Sequence, residues 1–335
     1  MVADIPLIDL TDLRRAPEAS AGQAVVAEID QACQDFGFFQ VVGHGVPEAL
    51  IARVWRETRA FFALPMADKR KLSRSRENPR GYYDRELTKN QRDRKEVLDF
   101  GMEPYPDLPS DHPQNTWPVD GHNRWPEVMP DFRATMGDYF RACDQLGHLL
   151  LRAFCQGMGE APERLAPHFD ADHTSFIRLN HYPLGDILSD TEAAAVTPLG
   201  DMALHHHSDA GVLTILLQDE IGGLQIFHND AWIEVTPIPG AFVINVGDMM
   251  QVWSNDRYPA ALHRVRPIRG APRYSLPFFM NPSYRTDCAP LPSTLTAAAP
   301  HYRSINWGEF RQLRTDGDFA DYGKEVQLSD YRLTG

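Results

Sequence analysis

The sequence predicts a mainly β fold with flanking helices: a double-stranded β-helix (jelly-roll) core behind an N-terminal α/β region. Two observations lead there. From Ser175 onward the turn pairs Gly222-Gly223, Asn229-Asp230, Pro239-Gly240 and Gly247-Asp248 punctuate short apolar runs, the rhythm of an antiparallel double-sheet barrel. Ahead of them, helix-period patterns alternate with single strand-like runs.

In chain order, Val25, Ile29, Ala32 and Phe36 fall on related faces of a helix over about 19–35. Gly37 interrupts it, and Phe38 to Val42 reads as a strand. Glu48 to Phe62 reads as a second helix, broken at Pro65. The stretch 104–130 carries prolines at 104, 106, 109, 113, 118, 126 and 130. Proline lacks a backbone donor and fixes φ, so this segment is expected to be an irregular connection between the two halves. A long helix follows to Gly157, its stripe of Phe132, Met136, Phe140, Leu146, Leu150 and Phe154 bracing the barrel. Val212 to Leu217 is apolar throughout, apart from Thr214, and of buried-strand length. Beyond about Leu313 the chain is polar, a terminal helix or a lid. The expected divisions are 1–110 (N-terminal region), 111–170 (linker and bracing helix), 171–290 (catalytic jelly roll) and 291–335 (C-terminal helix and tail).

At 335 residues with 43% apolar side chains, the chain can bury a sizeable core. No apolar stretch reaches the eighteen or more residues of a membrane helix, and Met1 to Pro6 lacks the pattern of a secretory signal. The four cysteines, Cys33, Cys143, Cys155 and Cys288, have no framework or metal spacing and read as reduced thiols of a cytoplasmic protein. A net charge of −13 argues against nucleic-acid binding. Residues 69–95 run the other way, with eleven basic side chains against four acidic ones. Arg74, Arg80 or Arg85 there would suit an anionic small-molecule substrate, as would a solvated helix face and loop.

The chemistry is expected from residues strung across the second half. His207-Ser208-Asp209 is followed by His263 fifty-six residues after His207, then by Arg273-Tyr274-Ser275. Residues i and i+2 of a strand share a face, so His207 and Asp209 can reach one ion together. Two imidazoles and one carboxylate suit ferrous iron and leave coordination sites open. The Asp209 spacing favours His207 over His205 and His206, which are expected to be dispensable for metal binding. Arg273 shares its strand face with Ser275, Pro277 and Phe279. A guanidinium committed to that side needs an anion, and its own strand offers none.

Several ordered stretches resemble the iron(II)/2-oxoglutarate-dependent dioxygenases, in particular the isopenicillin N synthase-like group. They are Arg178 to Pro183, His207 to Asp219, Gly222 to Ile226, Val246 to Asp248, Ser254-Asn255 through to Val265, and Arg273 to Ser275. Earlier in the chain Ile5 to Leu10, Gly37 to Val46, Phe61 to Pro65 and Asp93 to Glu96 resemble that group's leading segment, so the likeness covers roughly 4–315. It implies Fe(II) on His207, Asp209 and His263, and 2-oxoglutarate with its far carboxylate on Arg273 and Ser275. Asn180 and Tyr182 would complete the cosubstrate pocket. With O2, such an enzyme hydroxylates, desaturates or cyclises a small molecule and releases succinate and CO2. By position, Tyr82, Tyr83, Arg80, Phe100 and Phe279 are candidates for the substrate pocket.

Two alternatives stand beside this. Isopenicillin N synthase and aminocyclopropane-carboxylate oxidase carry the same arginine-x-serine pair without consuming 2-oxoglutarate. A non-catalytic barrel that binds a small acid is the other.

Overall fold

In a computed structural model, residues 5–88, 91–117, 119–295, 299–320 and 326–333 are described. The first part of the chain runs β1 (Leu7–Asp9), α1 (Thr11–Arg15), α2 (Ser20–Asp35), β2 (Phe38–Val42), α3 (Glu48–Phe62), α4 (Met66–Arg70), β3 (Gly81–Tyr83), β4 (Leu87–Thr88), β5 (Gln91–Arg92), β6 (Glu96–Gly101) and α5 (Phe132–Gly157). The second part runs β7 (Phe176–Tyr182), α6 (Asp190–Ala193), β8 (Leu204–His207), β9 (Leu213–Gln218), β10 (Leu224–His228), β11 (Ala231–Glu234), β12 (Phe242–Val246), α7 (Asp248–Trp253), β13 (His263–Val265), β14 (Arg273–Met280), β15 (Asp287–Cys288), β16 (Ile305–Asn306) and α8 (Trp307–Ala320).

Two sheets make the core. The larger has the order β1-β2-β12-β9-β14-β7-β6-β3, and the smaller β11-β10-β13-β8. The four central strands of the large sheet come from the second half of the chain. The N-terminal region supplies both flanks, β1 and β2 on one side and β6 and β3 on the other. The region up to residue 110 is therefore built into the same sheet as the strands of 171–290.

Strand alternation decides what each side sees. β9 is flanked by strands on both edges, so it is apolar on both faces, as buried strands are. Ile215 faces α5, which lies on the outer surface of the large sheet, while Thr214 and Leu216 line an internal cavity between the sheets. α5 approaches closely because Gly147 presents no side chain; a Cβ there would stand 2.8 Å from Met280 Sδ. Phe140 of the same helix meets Phe278 edge-on, with ring centroids 5.2 Å apart.

α2 buries Val25, Val26, Ile29, Ala32 and Cys33 on one stripe. It ends at Gly37, whose φ of +62° is left-handed backbone. A side chain at Gly37 would also strike the Pro259 carbonyl oxygen, 2.1 Å from an ideal Cβ. The proline-rich stretch is irregular as expected, apart from a 3-10 turn at Pro113–Asn115. Asn115 organises it, bonding the backbone of Tyr105 in both directions and the carbonyl of Pro109. The end of the chain, open between helix and lid in the sequence, contains α8.

Candidate active site

His207 and His263 stand directly opposite each other on β8 and β13 of the small sheet. β8 ends at His207, so Asp209 does not share a strand with it. Asp209 comes instead from the turn that follows, and the Asp248 N–H donates to its backbone carbonyl at 2.8 Å. Gly247 allows that approach, since a Cβ there would lie 2.4 Å from the Gly211 carbonyl oxygen and 3.1 Å from that of Asp209.

One ligand atom from each of His207, Asp209 and His263 lies within 4.8 Å of the other two. The Nε2 atoms of both imidazoles stand 3.6 Å from Asp209 Oδ1. Each ring is turned by its other nitrogen: His207 Nδ1 bonds the carbonyl of His205 at 2.9 Å, and His263 Nδ1 that of Ala261 at 3.2 Å. These bonds require Nδ1–H and leave the Nε2 lone pairs facing inward. The second Asp209 oxygen, Oδ2, accepts from Thr214 Oγ1 at 2.5 Å and Asn245 Nδ2 at 2.8 Å. One carboxylate oxygen is thus consumed by the protein and the other faces the imidazoles.

Burial alone would raise the Asp209 carboxyl, but the His263 and His207 imidazoles and the Thr214 hydroxyl hold it well below the usual carboxylate range. Burial pushes His263 down to about 4, with Asp209 opposing. The set is an ionised carboxylate beside a neutral imidazole, the form that binds a divalent cation.

Arg273, Ser275, Pro277 and Phe279 all line the cavity, from β14, and Arg178, Asn180 and Tyr182 line it from β7. The cavity measures about 140 Å³. Arg273 is 1% exposed. Its Nη2 donates to Gln218 Oε1 at 3.1 Å, while Nε and Nη1 have no hydrogen-bond partner among the described residues. Its guanidinium lies 5.0 Å from the centre of the Tyr182 ring. Asn180 Nδ2 donates to Ser275 Oγ at 3.4 Å, and Asn180 Oδ1 has no hydrogen-bond partner among the described residues. A buried cation with two orphan donors, beside a hydroxyl and an amide, fits the carboxylate of a small acid.

Four substrate-pocket expectations need correction. Tyr82 and Phe100 face away from the cavity. In the pairing of β3, β6 and β7, Tyr83 aligns with Val97 and Asp99 with Arg178, which puts Tyr82, Leu98 and Phe100 on the opposite face. Tyr82 donates to Glu96 Oε2 at 2.5 Å, and Phe100 packs on Trp125 at 5.1 Å. Arg80 is 3% exposed, against Gly101 and Asn123. Tyr83 does not line the cavity; its ring lies under the Arg74 guanidinium at 3.9 Å. Phe279 is the member of that group in the cavity wall. The basic segment is compensated, partly from outside itself: Arg74 meets Glu86 at 3.5 Å and Asp99 at 3.8 Å, and Arg85 meets Asp84 and Glu192. Lys89 lies outside the described residues.

The structure also brings in residues that the sequence did not single out. Thr214 and Asn245 hold Asp209, and Gln218 orients Arg273. Glu86, Thr88, Lys95 and Arg314 line the cavity beside the candidate ligands. Asn245 left a signal, a lone amide in the apolar strand Phe242–Val246. Arg314 left none, because its helix is weakly patterned.

Comparison with known proteins decides the family. Residues 5–128 match the model described as non-haem dioxygenase in morphine synthesis N-terminal, and residues 173–282 match that of the 2OG-Fe(II) oxygenase superfamily. The homoarginine-6-hydroxylase 2-ODD-C23 of Glycine max is 31% identical over 332 residues, covering 95% of this chain and 98% of that protein. The chain belongs to the 2-oxoglutarate/iron(II) oxygenase superfamily. Among solved structures of this superfamily, JOX2 in complex with 2OG, Fe and JA is 27% identical with a TM-score of 0.78, covering 99% of this chain and 90% of that one. The dioxygenase for auxin oxidation in rice is 26% identical with a TM-score of 0.71, covering 98% of this chain and 100% of that one. The protein is an Fe(II)-dependent dioxygenase with 2-oxoglutarate as cosubstrate and O2 as oxidant. It oxidises a small molecule and releases succinate and CO2. No helix among the described residues is long and apolar enough to cross a membrane.

Proposed function

We propose that His207, Asp209 and His263 hold the iron, and that Arg273 and Ser275 seat the far carboxylate of 2-oxoglutarate. The observation that carries the second assignment is the buried Arg273 guanidinium, whose hydrogen-bond partner is a neutral glutamine and which has no carboxylate within 4 Å among the described residues. Planar donors of this kind take a carboxylate in a bidentate contact that lysine cannot reproduce. Asn180 and Tyr182 complete that pocket, the amide beside Ser275 and the phenol ring beside the guanidinium. When bound, the iron supplies the oxidative chemistry. The chain's own part is to fix the two imidazoles by backbone carbonyls, fill one Asp209 oxygen, and enclose the cosubstrate away from water.

The substrate remains defined as a small molecule that is hydroxylated, desaturated or cyclised. An acidic substrate would meet Arg314 in the cavity wall rather than Arg80, which is walled off, or Arg178, which Asp99 and Glu86 already hold. The four cysteines are free and buried, in keeping with a cytoplasmic protein.

The test is an anaerobic titration of the Fe(II) protein with 2-oxoglutarate, followed by its visible difference band. The native protein should develop the band and, once a substrate is found, form one succinate per product. Arg273→Ala should need roughly 10- to 100-fold more 2-oxoglutarate, the loss of hydrogen bonds to a charged group. An Fe(II) protein that shows no band at millimolar 2-oxoglutarate, or product without succinate, would instead favour the 2-oxoglutarate-independent oxidases.

A further inference from the structure

Nothing in the assigned site uses Asp93, yet this carboxylate gathers several donors beside the cavity. Its side chain has no exposed surface. Oδ1 accepts from His205 Nδ1 at 2.9 Å and from the His205 backbone N–H at 3.3 Å. Oδ2 accepts from Thr88 Oγ1 at 2.7 Å and lies 3.4 Å from Lys95 Nζ. The Asp93 N–H donates to the Glu86 carbonyl at 3.0 Å. Two of these partners, Thr88 and Lys95, line the cavity that holds the candidate metal ligands.

His205 connects this cluster to the metal side. Its carbonyl takes the Nδ1–H of His207, so the grip on His205 decides where that carbonyl points and how the His207 ring is turned. Outer partners of this kind orient a metal ligand and are worth roughly 10- to 100-fold in metal affinity. An ion pair placed only to neutralise Lys95 would have no reason to take up both the ring and the backbone of His205.

We propose that Asp93 is a positioning residue: through His205 it sets the angle of the metal ligand His207, while holding Thr88 in the cavity wall. His205, dispensable on sequence grounds, becomes the link between carboxylate and ligand. The inference rests on His207 as an iron ligand but not on the use of 2-oxoglutarate.

The experiment is an anaerobic Fe(II) titration without 2-oxoglutarate, read by tryptophan fluorescence, with the urea midpoint of the metal-free protein measured in parallel. His205→Leu should weaken Fe(II) binding by roughly 10- to 100-fold. His205→Asn places an amide N–H near the position of Nδ1 and should return affinity to within about threefold of native. The double variant Asp93→Ala/His205→Leu should bind Fe(II) no more weakly than the poorer single variant, because both changes cut one link. If Asp93→Ala does not fold, the two His205 variants decide alone. Native-like Fe(II) affinity in His205→Leu, a lowered urea midpoint with unchanged affinity, or losses that add in the double variant would each overturn the proposal. A native protein that binds Fe(II) but gives no 2-oxoglutarate band removes the cosubstrate assignment and leaves this one standing.

Discussion

His263 carries an acid sensitivity that the fold builds into the site. Burial lowers its folded pKa to about 4, whereas an imidazole in the unfolded chain titrates near 6.5. Between those values the unfolded state binds more protons, so stability falls as pH falls through that window. Taken alone, this amounts to about 2 kcal/mol between pH 7 and pH 5. The urea midpoint of the metal-free protein should therefore drop across that interval, and His263→Gln should flatten the dependence. An equal drop in native and variant would place the sensitivity elsewhere. At this scale the ligands were legible because their types and order carry the chemistry. Their supports were less so: Thr214 and Asn245 reach Asp209 from different strands, β9 and β12, and no spacing announces that they converge on one oxygen.

Elements were legible where one period dominated. The stripe of α5 and the alternation of β14 each allowed one arrangement, and Arg273, Ser275, Pro277 and Phe279 do share the cavity face. β3 and β6 are short, and their facing depends on pairing with β7, a partner some eighty residues away. Position alone therefore put Tyr82 and Phe100 with the cavity, and register removed both. The basic run at 69–95 misled for a related reason, since partners such as Asp99, Asp120 and Glu192 lie outside it. A local count of charge cannot see long-range neutralisation. Gly37 offers a test of an element boundary. Gly37→Ala combines a left-handed backbone with a Cβ forced onto the Pro259 carbonyl oxygen. It should cost more than about 1 kcal/mol, the usual penalty of an incompatible glycine replacement. Urea denaturation measures this, and an unchanged midpoint would mean that α2 and the 259–261 segment can separate freely.

At the scale of the molecule, the question is whether the jelly roll stands without the segment that precedes it. Residues 171–290 alone would keep the small sheet but reduce the large one from eight strands to β12-β9-β14-β7. β12 would lose β2 and β7 would lose β6, leaving two long unpaired edges. The outer face would lose α5, exposing Ile215, Phe278 and Met280, each no more than 1% accessible in the whole chain. The cavity would lose Phe38, Glu86, Thr88 and Lys95. Asp99 would no longer hold Arg178, whose Nε and Nη2 it binds at 2.8 and 2.7 Å. One broken partner of a buried pair costs about 3–5 kcal/mol, comparable to the whole stability of a small domain. The fragment should therefore lack near-ultraviolet circular dichroism and be digested rapidly by protease. The full chain should unfold in one transition, with coincident near- and far-ultraviolet signals. A fragment that unfolds cooperatively and binds Fe(II) would show that the flanking strands are additions to a self-sufficient barrel. The pairing of β2 with β12 and of β6 with β7 argues that they complete it.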